Sequence, residues 1–129
     1  MSDFNFTPQT TEAPRPLIKV RLSHPSEFLY AAVVELRGEH DISTATDVQN
    51  ALSPIFGNVL IDLSDCEFID STIISALIVE FQLRRREGHR LDLLVPPENK
   101  TISRSVALSG VGDLMTVHPT RLGQTHSIA

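Results

Sequence analysis

The stretch VLIDLSDCEFIDSTIISALIVEF, residues 59–81, decides how the chain folds. Val59, Leu60 and Ile61 are consecutive apolar residues rich in β-branching, the pattern of a strand covered on both faces. Further on, Asp70 stands at a helix N-cap position. Ile73, Ile74, Leu77, Ile78 and Phe81 then recur at the i, i+3/i+4 spacing of a helix with one buried stripe. The intervening DCEFIDS reads as a loop, so the unit is strand, loop, helix. Arg84, Arg85 and Arg86 fill the last helical turn, where cations suit the dipole, and Gly88 follows as a C-cap. With Glu80 at i, i+4 to Arg84, the arginine run is expected to be a solvated helix end rather than an anion-docking patch.

Working outward, LIKVRL (17–22) alternates Ile18, Val20 and Leu22 with Lys19 and Arg21, the signature of a half-buried strand. The segment SHPSE is turn chemistry. FLYAAVVELRG (28–38) is a second strand, with Ala32, Val34 and Leu36 on one face and Glu35 and Arg37 on the other, so the two strands predict a hairpin. After the loop GEHDI, residues 43–56 place Ala45, Val48, Leu52 and Phe56 at helical spacing, with Asp41 or Ser43 as N-cap. Pro54 is incompatible with a regular last turn of that helix. RLDLLVP (90–96) is a strand. Residues 97–110 form a third helix opened by Pro97 and closed by Gly110, and DLMTVH (113–118) is a short final strand.

A hairpin followed by strand–helix alternation predicts an α/β fold. The expected sheet is mixed, with about five strands in the order hairpin, then β-α-β-α-β-α-β, joined by right-handed crossovers under packed helices. The domain spans residues 17–118. Residues 1–16, with three prolines and three threonines, form a flexible arm, and 119–129 form a polar tail. Functional loops of such sheets gather beyond the carboxyl ends of the parallel strands. Here those loops are GEHDIS and DCEFIDS, which should share a rim and bring Asp41 close to Ser71.

A net charge of −5 argues against nucleic acid or an anionic membrane as the main partner, since both require clustered Lys and Arg. Cys66 is the only cysteine, so no internal disulfide calls for an oxidising compartment, and it reads as a small buried filler. The apolar runs are too short for membrane insertion, and the N-terminus lacks a signal-peptide pattern, so a cytoplasmic location is expected. The five histidines, 24, 40, 89, 118 and 126, lack metal-ligand spacing, and neither a metal nor a cofactor is expected. Without a phosphate-cradling glycine loop, the chain is a phosphate acceptor at most.

GEHDISTA (38–45), LIDLSDCEFIDS (60–71) and SVALSGVGDLMTV (105–117) together resemble the three landmark segments of the STAS superfamily. The nearest resemblance is to bacterial anti-sigma-factor antagonists, and it covers roughly residues 17–118. It implies a non-enzymatic regulator, a monomer or weak dimer. Such a protein binds an ATP-binding serine-kinase anti-sigma factor and thereby releases a sigma factor. Phosphorylation of the serine that follows the helix-capping aspartate breaks the complex, and a phosphatase resets it. That serine is Ser71, with Thr72 the lesser acceptor. The surface implied to meet the partner comprises His40, Asp41, Asp70, Ser71, Thr72 and Ser75.

Physical chemistry supports such a site separately. A first-turn serine lies near helix N–H groups and the positive dipole end, so a phosphate there need not unfold the domain. It would add about −1.5 to −2 charges beside Asp70 and Asp41. The chain departs from the family motif at Ile73, where glycine is usual, and a branched side chain there is expected to crowd a kinase active site. This departure favours an alternative: a STAS adaptor or scaffold, transport-associated forms included, that is not regulated by phosphorylation. An enzyme with Ser71 as nucleophile would need His40, read as a solvated loop histidine, as its base. The chain lacks the G-x-S-x-G signature for that chemistry.

Overall fold

A computed structural model describes residues 16–23 and 29–120. The order is β1 Leu17–Leu22, β2 Ala32–His40, α1 Ile42–Leu52, β3 Val59–Asp62, β4 Cys66–Ile69, α2 Ser71–Arg86, β5 Leu91–Leu94, α3 Lys100–Ser109, a 3-10 turn Val111–Asp113 and β6 Val117–His118. The expected arm except Pro16, the SHPSE turn after Ser23, Phe28 and the tail beyond Thr120 lie outside the described residues. The sheet runs β1-β2-β3-β5-β6, with β4 also paired to β2. Only β1–β2 is antiparallel, confirming the hairpin start and the parallel remainder. The anticipated mixed sheet is therefore present, with a sixth short strand added.

That sixth strand corrects the sequence reading. DCEFIDS is not all loop: Cys66–Ile69 pairs with the far end of β2, which continues past Gly38 to His40. β3 and β4 thus follow one edge of β2, separated by the turn around Ser64. The register closes with His40 opposite Ile69.

From β2 onward each parallel strand is added on the same side of its predecessor. With crossovers of one hand, the helices must then lie on one face of the sheet. One core cluster indeed contains Val48 of α1, Ile73 and Leu77 of α2 and Ile102 and Val106 of α3, packed on Val34, Ile61 and Leu93. The opposite strand positions build a smaller cluster of Tyr30, Leu60 and Leu94. Val59–Ile61 is covered on both faces, as its unbroken apolar run requires. Glu35, on the face opposite Val34 and Leu36 as read from the sequence, is buried and paired with Arg21 and Arg37.

Helix ends follow their caps. α1 stops at Leu52, ahead of Pro54, so Phe56 does not join its buried stripe but lies 79% exposed with its ring edge-on to His89. α2 ends in a left-handed Gly88, with the His89 amide on the Arg84 carbonyl and the Gly88 amide on that of Arg85, a Schellman closure. α3 is capped by Asn99 rather than opened by Pro97, and Gly110 closes it in the left-handed conformation.

On the second face, buried Asp92 accepts hydrogen bonds from the Tyr30 hydroxyl at 2.5 Å and Arg90 Nη2 at 2.6 Å, with His118 Nε2 at 3.1 Å. This ties β5 and β6 to the chain entering β2. Removing the hydroxyl leaves a buried carboxylate short of one donor, so Tyr30→Phe should lower stability by about 1–3 kcal/mol in urea unfolding. Burial and then the Asp92 bond raise the Tyr30 pKa above its usual 10. The folded protein keeps a proton that the unfolded chain releases, so wild-type stability should decline as pH rises past 10. Tyr30→Phe should lose that part of the decline. Equal stability of the two proteins at neutral pH would contradict the assignment.

Candidate functional site

The site begins with the His40–Ile69 register pair. The next residue in each strand is an aspartate that caps a helix: Asp41 for α1 and Asp70 for α2. Neighbouring strands lie about 4.8 Å apart, so the two helix starts share one rim, as the loop positions predicted. Asp41 Oδ1 accepts the Ser43 amide at 2.9 Å and the Ser43 hydroxyl at 2.6 Å. The hydroxyl bond, followed by the amide bond, holds the Asp41 carboxyl below the usual carboxylate range. Asp70 Oδ1 accepts the amides of Thr72 at 3.0 Å and Ile73 at 3.1 Å.

Ser71 is exposed at the first position of α2, and its hydroxyl has no hydrogen-bond partner among the described residues. The helix start is less open than expected, because Asp70 already occupies two of its free amides. Thr72 is partly buried and Ser75 is exposed one turn along.

His40 is corrected. It is not a solvated loop residue but the last residue of β2, fully buried. Its Nε2 lies 3.0 Å from the Arg37 carbonyl and its Nδ1 3.0 Å from the Thr44 hydroxyl. A carbonyl only accepts, so Nε2 carries the hydrogen; Nδ1 faces the Thr44 hydroxyl, whose one hydrogen also has the Asp41 carbonyl as an acceptor at 3.2 Å. Nε2 thus bonds back within β2, and Nδ1 joins β2 to α1. The side chain offers neither a surface to a partner nor a base to Ser71.

Ile73 is also corrected. Its side chain is fully buried in the main core, pointing away from the rim, so it does not crowd a kinase at Ser71. Cys66 is a buried filler as expected, its thiol donating to the Phe68 carbonyl and pushed up to about 11 by burial.

From the rim, a groove of about 340 Å³ runs between α1 and α2. Ile42, Thr46 and Gln49 line one wall and Thr72, Ser75 and Val79 the other, and the whole lining is uncharged. Ile42 is 73% exposed and Val79 45%. The sequence reading passed over both, although each is an apolar residue off its helix's buried stripe, the one signal available. Among the described residues there is no group of three or more His, Cys, Asp or Glu able to hold a metal, and no helix is long and apolar enough to cross a membrane.

Two N-capped helices rising from one rim of a parallel sheet define a small α/β module whose accessible chemistry is hydroxyl and carboxylate. The family whose sequence model is described as "Mlab, STAS domain" matches residues 26–117, and the chain belongs to this STAS family. No curated protein matches it. Among solved structures, the chain is similar to an anti-sigma factor antagonist from Mycobacterium paratuberculosis, at 20% identity and TM-score 0.69 over 88% of this chain and 92% of that one. It is also similar to the antagonist SpoIIAA in its unphosphorylated form, at 16% identity and TM-score 0.70 over 87% and 96% of the two chains. The phosphorylated form of SpoIIAA from Bacillus gives 17% identity and TM-score 0.64 over 88% and 100%. At these identities the likeness establishes the fold.

If Ile73 is a core residue, restoring the glycine of the family motif should harm the protein. Ile73→Gly should lower stability by about 3–5 kcal/mol in denaturant unfolding, from the lost core side chain and a helical glycine together. A change below about 1 kcal/mol would contradict its placement.

Proposed function

We propose that the chain is an anti-sigma-factor antagonist. It binds an ATP-binding serine-kinase anti-sigma factor through the rim and the α1–α2 groove and frees a sigma factor, in the cytoplasm, as a regulator and not a catalyst. Phosphorylation of Ser71 ends the interaction, and a phosphatase restores it. The observation that carries this reading is the Ser71 hydroxyl: exposed, without a hydrogen bond among the described residues, beside Asp70 and the start of α1. The proteins it resembles in fold include antagonists, one of them solved in a phosphorylated form.

The switch follows from charge. About two added negative charges at a rim already holding Asp41 and Asp70 repel an acidic partner surface and desolvate poorly against an apolar one. The Thr72 and Ile73 amides are taken by Asp70, so the monomer neutralises little of that charge. The modification acts on the interface while the fold stays as it is. Partner contacts are assigned to Asp41, Asp70, Ser71, Thr72 and Ser75.

The same capping favours a second reading. A phosphate that finds the Thr72 and Ile73 amides already taken gains little from the monomer, which suits an adaptor or scaffold that binds its partner without being modified. Incubation with the cognate kinase and ATP separates the two. The antagonist reading expects one added phosphate by intact mass, absent in Ser71→Ala, and at least 100-fold weaker kinase binding by Ser71→Asp in calorimetry. Phosphate on another residue, or undiminished binding by the Asp variant, would leave the adaptor reading standing.

A further inference from the structure

Of the three arginines that end α2, Arg85 and Arg86 are exposed, whereas Arg84 retains 5% of its surface. Its Nη1 donates to the carbonyls of Ile55 at 2.7 Å and Gly57 at 2.9 Å, and its Nη2 to that of Leu52 at 2.6 Å. Nη2 also stands 3.8 Å from Glu80 Oε1, while Nε has no partner among the described residues. The three carbonyls belong to the last residue of α1 and the loop leaving it, where a helix's last carbonyls lack intrahelical donors; that of Leu52 also accepts the Ile55 amide at 3.0 Å. A planar guanidinium can serve several carbonyls in fixed directions. A lysine ammonium on a flexible stem cannot reproduce that geometry.

Beyond the core packing of Val48 and Leu52, α1 is fixed by polar bonds at two points. Its start is pinned to the sheet by the Asp41 cap, the His40–Thr44 bond and the His40–Ile69 register. Its end is pinned to α2 by Arg84. An eleven-residue helix is a stiff rod of about 16 Å, so two pins determine where everything between them lies. Thr46 and Gln49, one wall of the groove, lie between them.

We infer that Arg84 is the positioning residue of the α1–α2 groove, setting the separation at which a partner side chain enters. The inference rests on reading that groove as the docking face. Without the guanidinium, α1 keeps its pin at the rim and swings about it. Displacement should then grow from Ile42 toward Gln49 and leave Ser71 in place. A purely local role, holding the loop at 52–57, would leave residues 42–49 undisturbed.

Amide NMR spectra of the ¹⁵N-labelled full chain test this, comparing wild type with Arg84→Met, Arg84→Lys and, as a destabilised control on the other sheet face, Tyr30→Phe. Both Arg84 variants should shift Thr46 and Gln49 and the facing Ala76 and Val79 while sparing Ser71, and the control should not. Should Arg84→Met fail to fold, Arg84→Lys carries the comparison. Shifts confined to residues 52–58 and the last turn of α2, or an equal pattern in Tyr30→Phe, would overturn the inference whether or not a partner is known. In calorimetry against the kinase anti-sigma factor, at a temperature where all variants are folded, Arg84→Lys should bind about tenfold more weakly and Tyr30→Phe normally. Equal affinity for Arg84→Lys would overturn the inference. Absence of binding by wild type would count against the functional reading alone, with the spectra still deciding the role of Arg84.

Discussion

The pairing of His40 with Ile69 is the constraint on which the rest of the site depends. It ends two parallel strands level with one another, so that the next residue of each is free to cap a helix. Asp41 and Asp70 take that role, and α1 and α2 leave the sheet side by side. A slip of one residue in this register would unseat the buried Cys66 and Ile69 at the two ends of β4. It would also carry Ser71 away from the start of α1. The buried His40 imidazole, bonded to Arg37 and Thr44, fixes the end of β2 and the entry to α1.

Above this rim the chemistry is sparse. The exposed hydroxyls of Ser43, Thr46, Ser71 and Ser75, two capping carboxylates and an uncharged groove make up the surface that the proposed partner would read. His40 is not placed to activate Ser71, since both its nitrogens are already in use. In the proposed function, what the site does is change charge. With the Thr72 and Ile73 amides claimed by Asp70, most of that change would face a docked partner. The fold beneath would have no need to move, because Ile73 and Leu77 hold α2 in the core immediately below this turn.

Much of this was legible in the sequence, because caps and apolar stripes are local signals. Asp70 and the Ile73–Phe81 stripe located α2, and the unbroken Val59–Ile61 run marked a strand buried on both faces. What escaped was non-local. Cys66–Ile69 has four residues, of which only the two ends are buried, and it becomes a strand only because β2 extends to meet it. Glu35 and Asp92 look like solvent-facing positions until the second sheet face is seen to be covered. Arg84 is indistinguishable from Arg85 and Arg86 in a run of three, and only the position of the α1 carbonyls sets it apart. Ile73 illustrates the converse: a departure from a family motif suggested a surface clash, while the helical stripe to which it belongs already placed it in the core.

The central claim is that the Ser71 hydroxyl is a charge switch acting on the surface and not through the fold. The most direct measurement compares amide spectra and thermal unfolding of the protein with and without a phosphate on Ser71. The account predicts shifts limited to the rim, residues 40–44 and 69–75, and a melting temperature changed by no more than about 2 °C, less than 1 kcal/mol for a domain of this size. Shifts spreading through β3 and β5, or a much larger drop in melting temperature, would show that the modification works by disturbing the domain itself and would contradict the account.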